Sequence, residues 1–123
     1  MKTQERTIQE RIAPPHADLI QDLINCALAC EACATACLGE KDVMMMTRCI
    51  ELDRDCADTC FQAARLLMRD SEFVSQFLTV TEEICQLCAE ECKKHEHEHC
   101  QICADACERC AEACRSNHGN LAG

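Results

Sequence analysis

The sequence predicts an all-α protein, an antiparallel up-down-up-down four-helix bundle with a cysteine-lined core. Three observations predict it. Good helix formers dominate a chain of 123 residues that holds only three Gly and two Pro. Four long stretches carry apolar or cysteine residues at steps of three and four, a spacing that keeps one stripe on one helical face. The breaks between them are short, and short connections make consecutive helices antiparallel neighbours. The length suits one domain.

Residues 1–14, MKTQERTIQERIAP, read as a polar arm or a short helix. The first bundle helix is expected over about 15–38. Pro15 suits its first turn and Gly39 the position just past its end. Its stripe is Leu19, Leu23, Cys26, Cys30, Cys33 and Cys37. The second helix is expected over about 42–69, with Asp42 as its cap. Its stripe is Met45, Cys49, Leu52, Cys56, Cys60, Ala63 and Leu67. The third, about 71–95, has Ser71 as cap and Glu72 in its first turn. It carries Val74, Phe77, Thr81, Cys85, Cys88, Cys92 and His95. The fourth, about 97–117, carries Cys100, Cys103, Cys107, Cys110 and Cys114, and the spacing extends to His118. Residues 119–123 form a tail. The opposite faces hold Glu31, Glu51, Arg54, Asp58, Glu91, Lys94, Asp105, Glu108 and Arg109, which suits solvent. Residues 15–118 thus make the bundle.

Alternating helix direction sorts these stripes into two poles. Cys37, Met44, Met45, Met46, Cys49, Cys92, His95, His97, His99 and Cys100 meet at one. Leu19, Leu23, Leu67, Phe73, Phe77 and Cys114 meet at the other, with His16 and His118 at its edge. One end is plugged by hydrocarbon. The other opens through Met and His into a thiol zone roughly 20 Å deep.

Composition bounds the chemistry. There is no Trp, no Tyr and only three Phe, so an ordinary aromatic core is absent. Fifteen cysteines are the side chains numerous enough to replace it. The net charge of −10 argues against a nucleic-acid partner, whose phosphates need a basic surface. The start shows no apolar signal segment and no twin arginine, and no run of eighteen apolar residues occurs. A cytoplasmic protein without a membrane partner is therefore expected, in a compartment where disulfides do not persist.

Four uses of the thiols compete. Within-helix pairs at i,i+3 or i,i+4 have Cβ atoms about 5–6 Å apart. A disulfide needs roughly 3.5–4.5 Å. Those pairs cannot close, and an odd fifteen cannot all pair. An iron–sulfur site of the ferredoxin kind wraps a loop. CALACEACATAC instead spaces its cysteines C-x3-C-x2-C-x3-C among helix formers. Zinc takes four thiolates in a closed site. That leaves a net negative charge in a dry core, although a general zinc or cadmium sink stays open as an alternative. Cu(I) is soft and monovalent, and thiolates and thioethers select it. One ion displaces one thiol proton, so the interior stays neutral. Two metal–sulfur bonds of about 2.3 Å, the zinc–thiolate length, span about 4.6 Å. Sulfurs at i,i+4 reach that separation. About one Cu(I) per cysteine follows.

The candidate metal ligands are thus Cys26, Cys30, Cys33, Cys37, Cys49, Cys56, Cys60, Cys85, Cys88, Cys92, Cys100, Cys103, Cys107, Cys110 and Cys114. Taken singly, Met45, His95 and His99 read as core filler and polar turn residues. Together at the open pole they form a candidate mouth that passes Cu(I) inward. No cysteine is singled out beside a base and no carboxylate pair stands out on the core face, so no enzyme is expected.

CALACEACATAC, CIELDRDCADTC, CQLCAEEC and CQICADACERCAEAC, read together, resemble the bacterial copper storage protein family over roughly residues 15 to 118. The resemblance implies a four-helix bundle that fills with multiple Cu(I) ions for storage and detoxification. It also implies a homotetramer, and the cytosolic branch of the family. The ligand role carries to the fifteen cysteines and the mouth role to Met45, His95 and His99. Leu52, Val74, Phe77 and Thr81 leave gaps in the cysteine lining.

Overall fold

The computed structural model describes the backbone of residues 14–121 and the side chains of residues 16–117. Four helices follow one another: α1 (Pro14–Leu38), α2 (Thr47–Met68), α3 (Val74–Lys93) and α4 (Glu98–Leu121). A 3-10 turn, Val43–Met46, precedes α2. Each helix packs on two neighbours, α1 on α2 and α4, and α3 on α2 and α4. The backbones of diagonal helices stay apart, and their inward side chains meet along one central column. This is the four-helix bundle that the spacing predicts. The expected arm falls outside the described residues but for its last position. The end expected near Asn117 is passed, since α4 continues to Leu121.

The connections explain where the helices stop. The Gly39 amide donates to the Ala36 carbonyl at 3.1 Å, and no glycine among the described residues takes a positive φ. The left-handed cap lies instead after α2, at Asp70, with φ of 51°. Aspartate is one of the few residues that tolerates this region. There the Asp70 and Ser71 amides donate to the Leu67 and Leu66 carbonyls at 3.1 and 2.9 Å, closing the helix end. Ser71 Oγ then accepts the Phe73 amide at 3.1 Å, a turn that delivers the chain into α3. Asp42 caps no α-helix; it precedes the 3-10 turn and makes no side-chain cap bond.

Inside, one frame of steps recurs. Cys26, Cys30, Cys33 and Cys37 on α1 are spaced 4, 3 and 4. Cys49, Asp53, Cys56 and Cys60 repeat those steps on α2. Thr81, Cys85, Cys88 and Cys92 repeat them on α3, and Cys103, Cys107, Cys110 and Cys114 on α4. Every one of these side chains is buried. Asp53 and Thr81 occupy slots that elsewhere hold cysteine. The Thr81 hydroxyl donates to the Phe77 carbonyl at 2.8 Å, satisfying itself within its own helix.

Leu19, Ile20, Leu23, Leu66, Leu67, Val74 and Leu78 close the far pole. Each leucine buried there contributes about 1.5–3 kcal/mol. Phe73 does not join them. It precedes α3 and is 58% exposed, while Phe77 is only partly buried. The inward frame of α3 runs Val74, Leu78, Thr81 and Cys85, so Leu78 takes the place expected of phenylalanine.

The stretch His16–Leu38 is, by length and composition alone, apolar enough to cross a membrane. Its cysteines, with Leu19, Ile20 and Leu23, are buried in the bundle, while Leu28 and Leu38 are exposed. Its cysteine stripe is fully buried. It is one wall of the bundle.

Candidate metal centre

All fifteen cysteines are buried, and all are free thiols. Because four stripes face one axis, sulfurs from different helices touch. Cys26 Sγ lies 3.7 Å from Cys56 and 3.8 Å from Cys107. Cys30 lies 3.6 Å from Cys107 and 3.7 Å from Cys103. Cys56 and Cys60 lie 3.6 and 3.7 Å from Cys85. Cys60 lies 3.9 Å from Cys110, and Cys49 lies 3.5 Å from Cys92. These are packing distances between unbonded sulfurs. They are far longer than a disulfide bond of about 2.05 Å.

The donors converge in overlapping groups along the axis. Nearest the plug are Cys26, Cys60, Cys85 and Cys110, all within 4.8 Å of one another. Next come Cys26, Cys30, Cys56 and Cys107, then Cys30, Cys88, Cys103 and Cys107. Toward the mouth lie Cys33, Cys37, Cys49 and Asp53, and finally Cys33, Cys37, Cys100 and His99. Neighbouring groups share members, save the third and fourth, which are joined by the Cys88 and Cys103 thiols 3.2 Å from Asp53 Oδ1, so the sites form a column and not a set of closed cages. Cys114 extends it below Cys110, whose contact raises the Cys114 pKa.

The column holds one carboxyl group that sequence reasoning missed. Asp53 is fully buried. Its Oδ1 accepts the Cys88 and Cys103 thiols at 3.2 Å each and the Cys92 thiol at 3.6 Å. Burial first, and then the sulfurs of Cys103, Cys88 and Cys49, push its pKa up to about 11. Asp53 is therefore protonated at neutral pH in the metal-free protein. The signal was present: Asp53 stands four residues after Cys49 and three before Cys56. The stripe drawn through Leu52 hid it, and Leu52 is also buried, at 8% exposure.

The same physics acts on the two thiols at the mouth ends of α1 and α4. Burial pushes Cys37 up, and pushes Cys100 up to about 12. Nearby sulfurs add to both, because a second thiolate beside a first is unfavourable in a dry core. A cation that replaces each proton removes that penalty.

At the mouth the sequence-predicted residues separate. His99 belongs to the column, with Nδ1 lying 3.4 Å from Cys33 Sγ and 3.6 Å from Cys100 Sγ. His95 lines the rim, its Nε2 held 3.0 Å from Glu91 Oε2. Met45 does not point inward. It is 72% exposed and Met44 is 84% exposed, whereas Met46 is fully buried. The reason is local. A 3-10 turn has three residues per turn, so Val43–Met46 breaks the phase extrapolated back from α2. Glu91, expected on the outer face, is buried to 7% exposure, folded beneath Arg48, Lys94 and His95. His97 lies between Asp42 and Glu40, its ring stacked on that of His99 with centroids 5.4 Å apart. His16 is half-buried, and the His118 side chain lies outside the described ones.

The sequence profile of the copper storage proteins matches residues 13–119. The chain belongs to the copper storage protein family. An uncharacterized cysteine-rich protein of Bacillus subtilis strain 168, YhjQ, is 45% identical over 97 residues, covering 79% of this chain and 90% of its own length. The Cu(I)-bound copper storage protein BsCsp3 is 43% identical, with a TM-score of 0.80 over 83% of this chain and 96% of that one. A cytosolic copper storage protein of Streptomyces lividans, solved with five coppers, is 37% identical. Its TM-score is 0.81, over 91% of this chain and 95% of its own.

Proposed function

We propose that this protein stores Cu(I) along its thiol column, on the order of one ion per cysteine. The observation that carries the reading is the continuity of that column. Sulfurs of all four helices sit 3.5–4.0 Å apart without a disulfide. Opening a pair to about 4.6 Å for a two-coordinate ion, at metal–sulfur bonds of about 2.3 Å, needs only side-chain adjustment. Each Cu(I) replaces one proton, so a filled interior carries no more charge than an empty one.

The fifteen cysteines are the ligands in this reading. Asp53 offers an oxygen midway along the column and His99 a nitrogen at its top. His95 and the exposed Met45 flank the route inward, where Met45 meets the ion outside the column and not within it. The role is storage and detoxification without catalysis. The cytoplasm is the expected site, in keeping with the cytosolic relative. A homotetramer is the expected assembly, by family resemblance.

The test is an anaerobic titration of reduced protein with Cu(I) held by a competing chelator. We expect tight uptake that ends near one ion per cysteine. Saturation at four ions or fewer would sink the column. A parallel titration with Zn²⁺ addresses the competing reading, which the four-thiol groups favour because zinc takes four ligands. Zn²⁺ that resists displacement by Cu(I) would make the protein a general thiolate sink.

A further inference from the structure

Glu40 lies outside the thiol column, in the connection between α1 and the 3-10 turn. Soft-ion binding by thiolates gives no reason for a carboxylate there. Yet its Oε2 lies 2.7 Å from His99 Nε2 and 3.3 Å from His97 Nδ1. The opposite edge of the His99 ring faces the sulfurs of Cys33 and Cys100 at 3.4 and 3.6 Å. One ring thus spans a carboxylate outside and a donor group inside.

The chemistry of the ring makes this consequential. A neutral imidazole carries one N–H and one lone pair. An ionised carboxylate only accepts, so the nitrogen facing it carries the hydrogen. The hydrogen is then on Nε2, and the lone pair is on Nδ1, aimed at the sulfurs. Ligating histidines commonly give their other N–H to a carboxylate, which fixes tautomer and orientation and raises basicity. The ring plane is fixed as well. His97 stacks on it with an interplanar angle of 4°, and His97 Nε2 is held 3.1 Å from Asp42 Oδ1. The loop after α1 therefore clamps the start of α4.

We propose that Glu40 is a positioning residue, which holds the His99 ring so that Nδ1 presents its lone pair to a soft cation beside Cys33 and Cys100. The proposal rests on the storage reading, but it makes a claim about the metal-free protein that can fail independently.

The first measurement uses reduced, metal-free wild-type protein at pH 8, by long-range ¹⁵N–¹H correlation of the histidine rings. We expect His99 to carry its proton on Nε2, in a hydrogen-bonded signal protected from exchange. A proton on Nδ1 would overturn the proposal. The second compares Glu40→Gln with Glu40→Leu. Glutamine keeps an oxygen that can accept from Nε2; leucine does not. E40L should lose the protected signal and weaken binding of Cu(I) at the mouth about tenfold, the low end for a lost outer partner. E40Q should keep both, and total capacity should be unchanged in each. An E40L protein that binds like wild type, or an E40Q protein as weak as E40L, overturns the positioning role. Failure of the wild type to take up many Cu(I) ions would overturn the storage reading instead.

Discussion

At one pole α1, α2 and α3 meet through Leu19, Leu23, Leu67, Val74 and Leu78; along the rest of the column the four helices meet largely through thiols, with one carboxyl group among them. The same steps of four and three run through both regions. The fold is therefore set by the spacing of inward positions, and side-chain identity decides what each region does. Hydrocarbon stabilises the bundle whether or not metal is present. Neutral thiols pack as small apolar groups and add to that burial. Asp53 does the opposite, since its carboxyl must stay protonated to remain inside.

The largest effect expected from this contrast is in the plug. Leu78→Ala should cost about 2–5 kcal/mol of metal-free stability in denaturant unfolding, through lost burial and a cavity. Capacity for Cu(I) should stay at the wild-type value. Cys85→Ala should do the reverse, lowering capacity by about one ion at a stability cost within the ordinary range of about 0.5–3 kcal/mol. A Leu78→Ala protein that loses capacity while folded would show that the two regions are not separable.

The mouth sharpens the same comparison with two neighbouring methionines. Met46→Ala should cost about 2–5 kcal/mol, because that side chain is fully buried. Met45→Ala should stay within about 0.5 kcal/mol, as for other exposed positions. Thermal unfolding of the two metal-free variants decides it. Equal effects would mean that the 3-10 turn does not set the inward phase.

Asp53 supplies a smaller effect with a defined pH dependence. Unfolded, its carboxyl ionises near the ordinary 3.8; folded, it stays protonated up to about 11. The unfolded state releases its proton first, so this group's contribution to stability falls as pH rises from about 4 toward 11. Asp53→Asn removes that slope. It should stabilise the metal-free protein more at pH 8 than at pH 5, because the unfolded carboxyl is ionised at the higher pH while the folded one keeps its proton. Denaturant unfolding at pH 5 and pH 8 measures both. A variant with the wild-type slope would assign the pH dependence to the thiols.

Much of this was legible in the sequence because helical steps of three and four map directly onto one face. The four stripes, the burial of the fifteen cysteines and the leucine plug all follow from that mapping. It fails where the backbone leaves the α-helix. Met45 loses its inward place because the 3-10 turn changes the angle per residue. Phe73 loses its place because the turn at Asp70 and Ser71 delays α3 to Val74. Asp53 was hidden for a different reason: a carboxyl group on a core face contradicts the usual exclusion of charge, and protonation among thiol donors resolves the contradiction. Glu91 shows a second way to bury a carboxylate, by surrounding it with Arg48, Lys94 and His95. Each arrangement is completed by partners distant in the chain, Cys88 and Cys103 for Asp53 and Arg48 for Glu91, which spacing alone does not supply.

The central claim is that ions replace protons one for one along a shared column. Native mass spectrometry of the reduced protein, loaded anaerobically to saturation, tests it most directly. The mass gained gives both the number of copper ions and the number of protons lost. The account predicts a distribution reaching about fifteen ions per chain, one per cysteine, with one proton lost for each. A distribution that stops at four ions or fewer would contradict it, as would copper bound without loss of protons.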